Sequence, residues 1–244
     1  MSVFYEKISS QPQANTLQQP SKTPIVVGRW GSSERRGVTY TAIAVFFFSL
    51  SPILARWAAE SLSAYEITAG RLLPAGVVVL LIARWQRQAL PSLVALPRFL
   101  LIGLITALHF GLYICSLQFT SIAHSLALVY TAPIFVALFS WLLLGEGLTR
   151  RKWGGVLVAV LGVAVLAGFD TTFTRTMLIG DLMAVGSAVC FGLYSVAGRN
   201  ERTRTTLFGY AGLVYLLAAI WMLPTAALNF HVDGYTWPAV ASVL

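Results

Sequence analysis

Two ionisable side chains lie within long apolar stretches of this chain. Arg71 is the single charged residue between Ile67 and Ala83, and His109 lies in the middle of another apolar stretch. A charge at the centre of a bilayer costs about 2.5–3.5 kcal/mol on insertion scales, and histidine changes charge near neutral pH. Arg71 is therefore either a snorkelling residue or a ligand contact. His109 is either a proton carrier or a hydrogen-bonded packing residue.

Uncharged polar side chains form a second set in the same stretches, where polar groups usually face a partner or a cavity. Pro133 has no N–H, so a helix that runs through it leaves the carbonyl of Val129 without its usual donor. Tyr130 and Thr131 stand beside this position, which predicts a kinked helix whose carbonyl and hydroxyl groups form the wall of a substrate site. The predicted substrate-binding residues are Arg71, His109, Tyr113, Tyr130, Thr131, Pro133 and Tyr194.

Two carboxylates near predicted helix ends, Glu146 and Asp181, are each interpreted as a gate or a structural turn. Glu146 precedes three basic residues, and Asp181 lies near the positive end of a helix. Cys115 and Cys190 fall within apolar stretches and are predicted to pack rather than to form a disulfide or bind a metal. The chain has no His-Glu-x-x-His, Gly-x-Ser-x-Gly or P-loop motif. The sequence therefore predicts no catalytic residue, no metal, no cofactor and no enzyme.

The elements that must position these residues are apolar helices. Of the 244 residues, 57% are hydrophobic and only 11% are charged, whereas soluble domains contain about 25% charged residues. A helix needs about 20 apolar residues to cross a bilayer, so the fold class is an all-α polytopic membrane protein whose first partner is lipid. Seven transmembrane helices are predicted at about 38–57, 64–83, 98–119, 123–144, 152–168, 178–198 and 207–228, and an eighth begins near Trp237.

The positive charges are distributed unequally between the two sides of these predicted helices. Fourteen of the 17 Lys and Arg residues fall on the side of the N-terminus, which the positive-inside rule places in the cytoplasm. This distribution accounts for the net charge of +8 without a nucleic-acid partner. Residues 1–37 are rich in Gln, Ser and Pro and are predicted to be a disordered cytoplasmic tail.

The first two predicted helices recur as the sixth and seventh at an offset of 142 residues. The offset places Ala42 on Ala184, Ala55 on Ala197, Ala69 on Ala211 and Gly70 on Gly212. A repeat of five helices inverts its second copy, which is the architecture of many secondary transporters. On this interpretation the second repeat is truncated, and about three further helices are expected in the parent protein.

Small residues also recur every three or four positions on two predicted helices. Gly155, Ala159 and Gly162 form one such ridge, and Ala184, Ala188 and Gly192 form the other. Ridges of this kind let helix backbones approach closely, so both are predicted to pack against neighbouring helices.

Several motifs match a known family. The run Ala132-Pro133-Ile134-Phe135, the run Leu-Leu-Leu-Gly-Glu-Gly-Leu-Thr at 142–149 and the pair Gly154-Gly155 resemble the EamA domain of the drug/metabolite transporter superfamily. Gly180-Asp181-Leu182 and Phe191-Gly192-Leu193-Tyr194 are similar to the start of that family's second repeat. Ala69-Gly70-Arg71-Leu72 resembles its Arg-containing second helix, although Leu213 stands where this Arg would recur.

The resemblance implies a fold and a function. It implies ten helices in two inverted five-helix repeats, of which 38–169 is the first and 178–244 part of the second. It also implies a secondary transporter, or permease, in the inner or plasma membrane of the cell, which moves a small metabolite or drug-like molecule by alternating access. Proton coupling and a homodimer are compatible with this interpretation. The alternatives are a non-transporting membrane component, an inactive fragment or, less favoured, an intramembrane enzyme.

Overall fold

The computed structural model describes residues 32–167, 174–230 and 235–243. All of the regular structure in this part of the chain is helical. The helices are α1 (Ser32–Ala58), α2 (Ala64–Trp85), α3 (Leu96–Phe119), α4 (Ile122–Val129), α5 (Ala132–Leu144), α6 (Arg150–Ala167), α7 (Arg175–Glu201), α8 (Leu207–Leu228) and α9 (Trp237–Val243), with a short 3-10 helix at Leu93–Ala95 before α3.

The helix ends follow local sequence signals. Ser63 caps α2 in a capping box: its hydroxyl accepts from the Glu66 N–H at 3.3 Å, and the Glu66 carboxylate accepts from the Ser63 N–H at 2.8 Å. Ser121 and Thr206 cap α4 and α8 through their side-chain oxygens. Gly145 ends α5 with a φ of +68°, which glycine adopts without strain. The predicted helix boundaries lie within a few residues of the observed ones, except that α1 begins at Ser32 and so includes the end of the predicted tail. Residues 1–31 of that tail lie outside the described residues.

The fourth predicted helix is interrupted. The kink expected at Pro133 is a break, in which α4 ends at Val129 and α5 begins at Ala132. Pro133 occupies the first turn of α5, where its missing N–H costs no helical hydrogen bond.

Six helical segments in the described ranges are long and apolar enough to cross a membrane. They are Arg36–Ala58, Ala64–Trp85, Leu96–Phe119, Ile122–Leu144 (α4 and α5 together), Arg175–Arg199 and Leu207–Leu228. The seventh predicted crossing corresponds to α6, which is a helix but falls outside this set because three of its 18 residues, Arg150, Arg151 and Lys152, are charged.

Residues 45–244 form one compact unit, in which the helices pack at close range; residues 1–44 are assigned to a separate unit. A Cβ added to Gly76 of α2 would lie 2.6 Å from the backbone nitrogen of Leu216, and one added to Gly212 of α8 would lie 2.8 Å from the Leu80 side chain. These contacts pair the middle of α2 with the middle of α8 in antiparallel orientation.

Helix α3 lies between α7 and α8. It runs antiparallel to α7, since Thr120 lies beside Gly180 and Arg98 beside Glu201. It runs parallel to α8, since a Cβ at Gly103 would lie 2.8 Å from the Leu217 side chain and Gly111 faces Met222. Below, the Asp181 end of the bundle is the end that contains Thr120 and Asp181, and the Glu201 end is the end that contains Arg98 and Glu201.

Candidate functional site

The central feature of the interface between α3 and α7 is a buried pair, His109 and Ser187. His109 is 5% exposed and Ser187 is fully buried. The Ser187 hydroxyl lies 2.8 Å from His109 Nδ1 and 2.9 Å from the His109 backbone oxygen, and the Ser187 backbone oxygen lies 3.0 Å from Nδ1. Two polar contacts therefore fix one side of the imidazole to α7, and a third joins Ser187 to the His109 backbone.

Aromatic rings surround the same imidazole. The ring centroids of Phe110, Phe191 and Tyr194 lie 4.8, 5.3 and 5.5 Å from that of His109. Phe191 and Tyr194 also contact each other at 5.1 Å, within the range in which aromatic pairs attract. The structure thus brings two predicted site residues, His109 and Tyr194, into one cluster across two helices.

Arg71 forms a second polar centre. Its guanidinium donates to the Ser51 hydroxyl of α1 at 2.6 Å and lies 3.4 Å from the Ser51 backbone oxygen. The side chain is half-buried. Tyr113 interacts electrostatically with both Arg71 and Tyr130, and it lies four residues after His109 on the same face of α3. Tyr113 therefore interacts with two other predicted residues, Arg71 and Tyr130.

Three of the predicted substrate-binding residues lie at the break between α4 and α5. The Thr131 hydroxyl donates to the backbone oxygen of Leu128 at 2.6 Å, so it satisfies the interrupted helix instead of extending away from it. Tyr130 is 49% exposed, and Pro133 is exposed as well.

Polar contacts connect four helices at the Asp181 end. Asp181 accepts from the Thr120 hydroxyl at 2.9 Å and lies 3.7 Å from His124 Nδ1. Arg56 donates to the backbone oxygens of Leu117, in the last turn of α3, and of Thr120, which follows it, and here a cation also meets the negative end of the helix. Asp181 thus joins α3 and α4 to α7. The role of Arg56 was not predicted, because a cation at a helix end has no sequence signal for the distant carbonyls that it contacts.

Two ion pairs connect helices at the Glu201 end. Glu146 and Arg199 form a two-pronged pair that joins the turn after α5 to α7, with both side chains about half exposed (50% and 57%). Arg98 of α3 donates to Glu201 of α7 at 3.0 Å, and the Glu201 side chain is only 6% exposed. Glu146 therefore joins the turn after α5 to the C-terminal part of α7.

Each end of the bundle also contains a cavity. The cavity at the Asp181 end measures about 410 Å³ between α2, α8 and α9, and Glu66 in its wall accepts from the Tyr235 hydroxyl at 2.9 Å. The cavity at the Glu201 end measures about 440 Å³ and has Arg98, Glu201 and Arg204 in its wall.

Potential metal ligands and thiols are dispersed. In the ranges that the structure describes, no three His, Cys, Asp or Glu residues converge as a metal site. Cys115 and Cys190 are free and partly buried.

The helix lengths, the apolar surfaces and the polar groups between the helices define a multi-pass integral membrane protein. The EamA-like transporter family matches residues 35–168, which is more than half of the chain. The chain therefore belongs to the EamA-like transporter family, as its motifs predict.

Named relatives agree with this assignment. The pseudopaline exporter CntI of Pseudomonas aeruginosa is 32% identical over 186 residues, which are 75% of this chain and 65% of the exporter. The uncharacterized transporter YvbV of Bacillus subtilis is 27% identical over 179 residues, which are 71% of this chain and 58% of that protein. The chain thus spans about three fifths of the length of these relatives. A protein of known crystal structure shares the fold with a TM-score of 0.60 at 23% identity, covering 80% of this chain and 71% of its own.

Proposed function

We propose that the chain belongs to a secondary transporter, or permease, that moves a small metabolite or drug-like molecule by alternating access. The observation that carries the proposal is the buried polar and aromatic cluster between α3 and α7, which contains His109, Ser187 and Tyr194. Polar groups buried at this depth face a partner or a cavity. They also lie between two groups of helices that an alternating-access mechanism would move against each other.

The helix pairing supports two inverted repeats. An inverted repeat with the 142-residue offset makes α8 the counterpart of α2, and these two helices meet antiparallel at their midpoints, as two-fold-related elements must. The same symmetry makes the contact of α3 with α8 equivalent to that of α2 with α9, and both contacts are present. These pairings favour 38–169 and 178–244 as members of two repeats.

The helix directions also support seven crossings. Helix α5 runs parallel to α7, because Phe135 lies beside Gly192 and Glu146 beside Arg199. The chain must therefore return between Leu144 and Arg175 from the Glu201 end to the Asp181 end. Helix α6 has 18 residues and is about 27 Å long at 1.5 Å per residue, nearly the thickness of the hydrocarbon core.

The contacts at the two ends suit alternating gates. At the Asp181 end, the Asp181–Thr120 hydrogen bond joins α7 to α3. At the Glu201 end, the Arg98–Glu201 pair joins the same two helices. Rocking of α7 against α3 would lengthen one of these contacts while it preserves the other, so that the central cluster opens to one side at a time.

The chemistry of the cluster suggests the kind of cargo and the coupling. Arg71 favours a molecule with a carboxylate or another anionic group, because a guanidinium binds such groups in two-pronged fashion. His109 is the proposed proton carrier, since a histidine changes charge near neutral pH.

The relative named as an exporter supports export as the direction of transport. The positive-inside rule supports a cytoplasmic N-terminus in the cell membrane.

Transport into vesicles that contain the protein tests this proposal. A panel of metabolites is offered with and without a proton gradient, and uptake is compared with that of the triple variant Arg71→Ala, His109→Ala and Thr131→Ala. We expect the triple variant to lose uptake, while Arg84→Ala, which removes an exposed charge from the same helix as Arg71, retains it. Full uptake by the triple variant would refute the site. Absence of uptake of every compound by the unsubstituted protein would favour a non-transporting membrane component.

A further inference from the structure

The Ser187 hydroxyl contacts two polar atoms of His109, and its single proton can serve only one of them. If the proton pointed at Nδ1, the Nδ1 lone pair would also face the Ser187 backbone oxygen at 3.0 Å, which places two acceptors against each other. If Nδ1 carries the proton, it donates to the Ser187 backbone and hydroxyl oxygens, and the hydroxyl donates to the His109 backbone oxygen at 2.9 Å. The second arrangement supplies a proton for every contact.

The tautomer of a histidine is set by the hydrogen bond that its other nitrogen makes. We infer that Ser187 holds neutral His109 as the Nδ1–H tautomer, so that Nε2 presents a lone pair and accepts a hydrogen bond from the transported molecule. Ser187 is therefore a positioning residue. The inference rests on the proposed function in that it names the chemical class of the cargo.

The surroundings of Nε2 define this class further. Among the described residues, none donates to or accepts from Nε2. The rings of Phe110, Phe191 and Tyr194 lie around the imidazole at centroid distances of 4.8–5.5 Å. A molecule that fits this environment combines an aromatic or apolar body with an O–H or N–H donor, since the rings attract the body and Nε2 receives the donor.

The tautomer is measurable by nitrogen-15 NMR of histidine-labelled protein in lipid nanodiscs at mildly alkaline pH. The chain has three histidines, and comparison with His109→Gln assigns the signals of His109. We expect a protonated Nδ1 and an unprotonated Nε2 in the unsubstituted protein. A protonated Nε2 would overturn the inference without any variant being needed.

Ser187→Ala tests whether the hydroxyl sets the tautomer. This variant leaves the Ser187 backbone oxygen as the sole acceptor for Nδ1–H, so a second population with protonated Nε2 should appear. The matched control is Ser125→Ala, which removes an equally buried hydroxyl that pairs with Ser116 at 2.5 Å. Its His109 signals should be unchanged.

Identical spectra for Ser187→Ala and the unsubstituted protein would refute the role of the Ser187 hydroxyl. If Ser187→Ala fails to fold, Ser187→Thr retains the hydroxyl and should retain the tautomer, and loss of the tautomer in this variant would refute the role.

Phenol and its methyl ether, anisole, test the acceptor role of Nε2. Phenol carries an O–H donor and anisole does not, while their rings are the same. Phenol should shift the Nε2 signal saturably, and anisole should leave it in place; equal shifts, or no shift with phenol, would overturn the acceptor role. The two proposals can fail separately. If the spectra are as expected but no metabolite is taken up, transport alone is refuted. If uptake is observed in a protein whose His109 Nε2 is protonated, this inference alone is refuted.

Discussion

The guanidinium of Arg71 donates to the Ser51 hydroxyl at 2.6 Å and to the Ser51 backbone oxygen at 3.4 Å, so its hydrogen bonds to the described residues all go to this one neighbour. A cation at this depth has paid its desolvation cost during folding, so it can bind an anionic group more strongly than an exposed arginine can. These properties support the proposed role of Arg71 in binding cargo.

We expect Arg71→Ala to reduce transport about tenfold or more, equivalent to about 1.4 kcal/mol of lost binding or transition-state energy. Arg71→Lys should recover only part of it, because an ammonium cannot form the two-pronged contact. Initial uptake rates in vesicles measure both effects. Ser51→Ala is the control that retains the charge, and a larger loss with Ser51→Ala than with Arg71→Ala would contradict the role of the guanidinium.

Tyr235 is a residue whose ionisation reports on the cavity at the Asp181 end. Removal of its hydroxyl from water, together with its hydrogen bond to Glu66, raises the pKa of Tyr235 from 10.0 to about 12. Because the pKa in the folded state is the higher one, this contact stabilises the fold fully below about pH 10 and is lost as the pH rises toward 12.

The difference in tyrosinate absorbance between the chain and Tyr235→Phe should therefore have a midpoint well above pH 10. Glu66→Gln should move that midpoint downward, because the neutral amide no longer repels the tyrosinate. An unshifted midpoint near 10 in the unsubstituted chain would show that Tyr235 does not contact Glu66 in the membrane.

At the scale of elements, small residues determine how closely two helices approach. The antiparallel contact of α2 with α8 depends on Gly76 and Gly212, where an added Cβ would lie under 3 Å from the facing helix. Around Gly155 of α6, by contrast, no atom of the described residues lies within 4 Å of such a Cβ. The two positions are therefore a matched pair for testing the packing.

Gly76→Ala should destabilise the protein by about 1–3 kcal/mol, because the methyl group meets the backbone of Leu216 and the helices must separate. Gly155→Ala should change stability by less than about 0.5 kcal/mol or raise it slightly, through helix propensity. Denaturant titrations in detergent, followed by tryptophan fluorescence, compare the two variants. Equal effects would show that α2 and α8 are not in close contact.

At the Glu201 end, Arg98 and Arg199 form ion pairs with Glu201 and Glu146, and we expect the two pairs to contribute unequally to the free energy of unfolding. Arg199→Ala breaks an exposed pair and should cost at most about 1 kcal/mol. Arg98→Ala leaves the buried carboxylate of Glu201 without its partner and should cost about 3 kcal/mol. The same titrations measure both variants, and the reverse order of stability would contradict the burial of Glu201.

At the scale of the whole molecule, the contacts between helices determine which helices run parallel and which antiparallel, and hence how many times the chain crosses the membrane. Seven crossings place Gly147 and Arg175 on opposite faces of the membrane, whereas six crossings without α6 place them on the same face. The unequal distribution of Lys and Arg further predicts which face is cytoplasmic.

Single cysteines introduced at these two positions, in a chain whose Cys115 and Cys190 are replaced by alanine, test this topology. We expect a membrane-impermeant maleimide, added to intact cells, to label Arg175→Cys but not Gly147→Cys. Labelling of both after permeabilisation is the control for reactivity. Labelling of both in intact cells would remove α6 as a crossing, and labelling of Gly147→Cys alone would invert the orientation.

The sequence alone determined the membrane class, the family and the approximate helix ends, because these depend on local properties: apolar length, capping residues and contiguous motifs. It also identified His109 and Arg71 as unusual, since a polar residue in an apolar stretch is a local anomaly. The recurrence of small residues every three or four positions in both α6 and α7 was less informative. A Cβ added to Gly192 would lie 2.7 Å from the Phe135 side chain, whereas one added to Gly155 or Gly162 would have no described atom within 4 Å.

Only the tertiary structure decided which polar groups meet. Ser187 is 78 residues from His109, and Glu201 is 103 residues from Arg98. Whether such residues meet depends on the rotation of each helix about its axis and on its position along that axis. Small differences in packing energy along the whole interface determine both. For the same reason the Thr131 hydroxyl, predicted to contact cargo, bonds to Leu128: a break in a helix leaves local carbonyls that a nearby hydroxyl satisfies first.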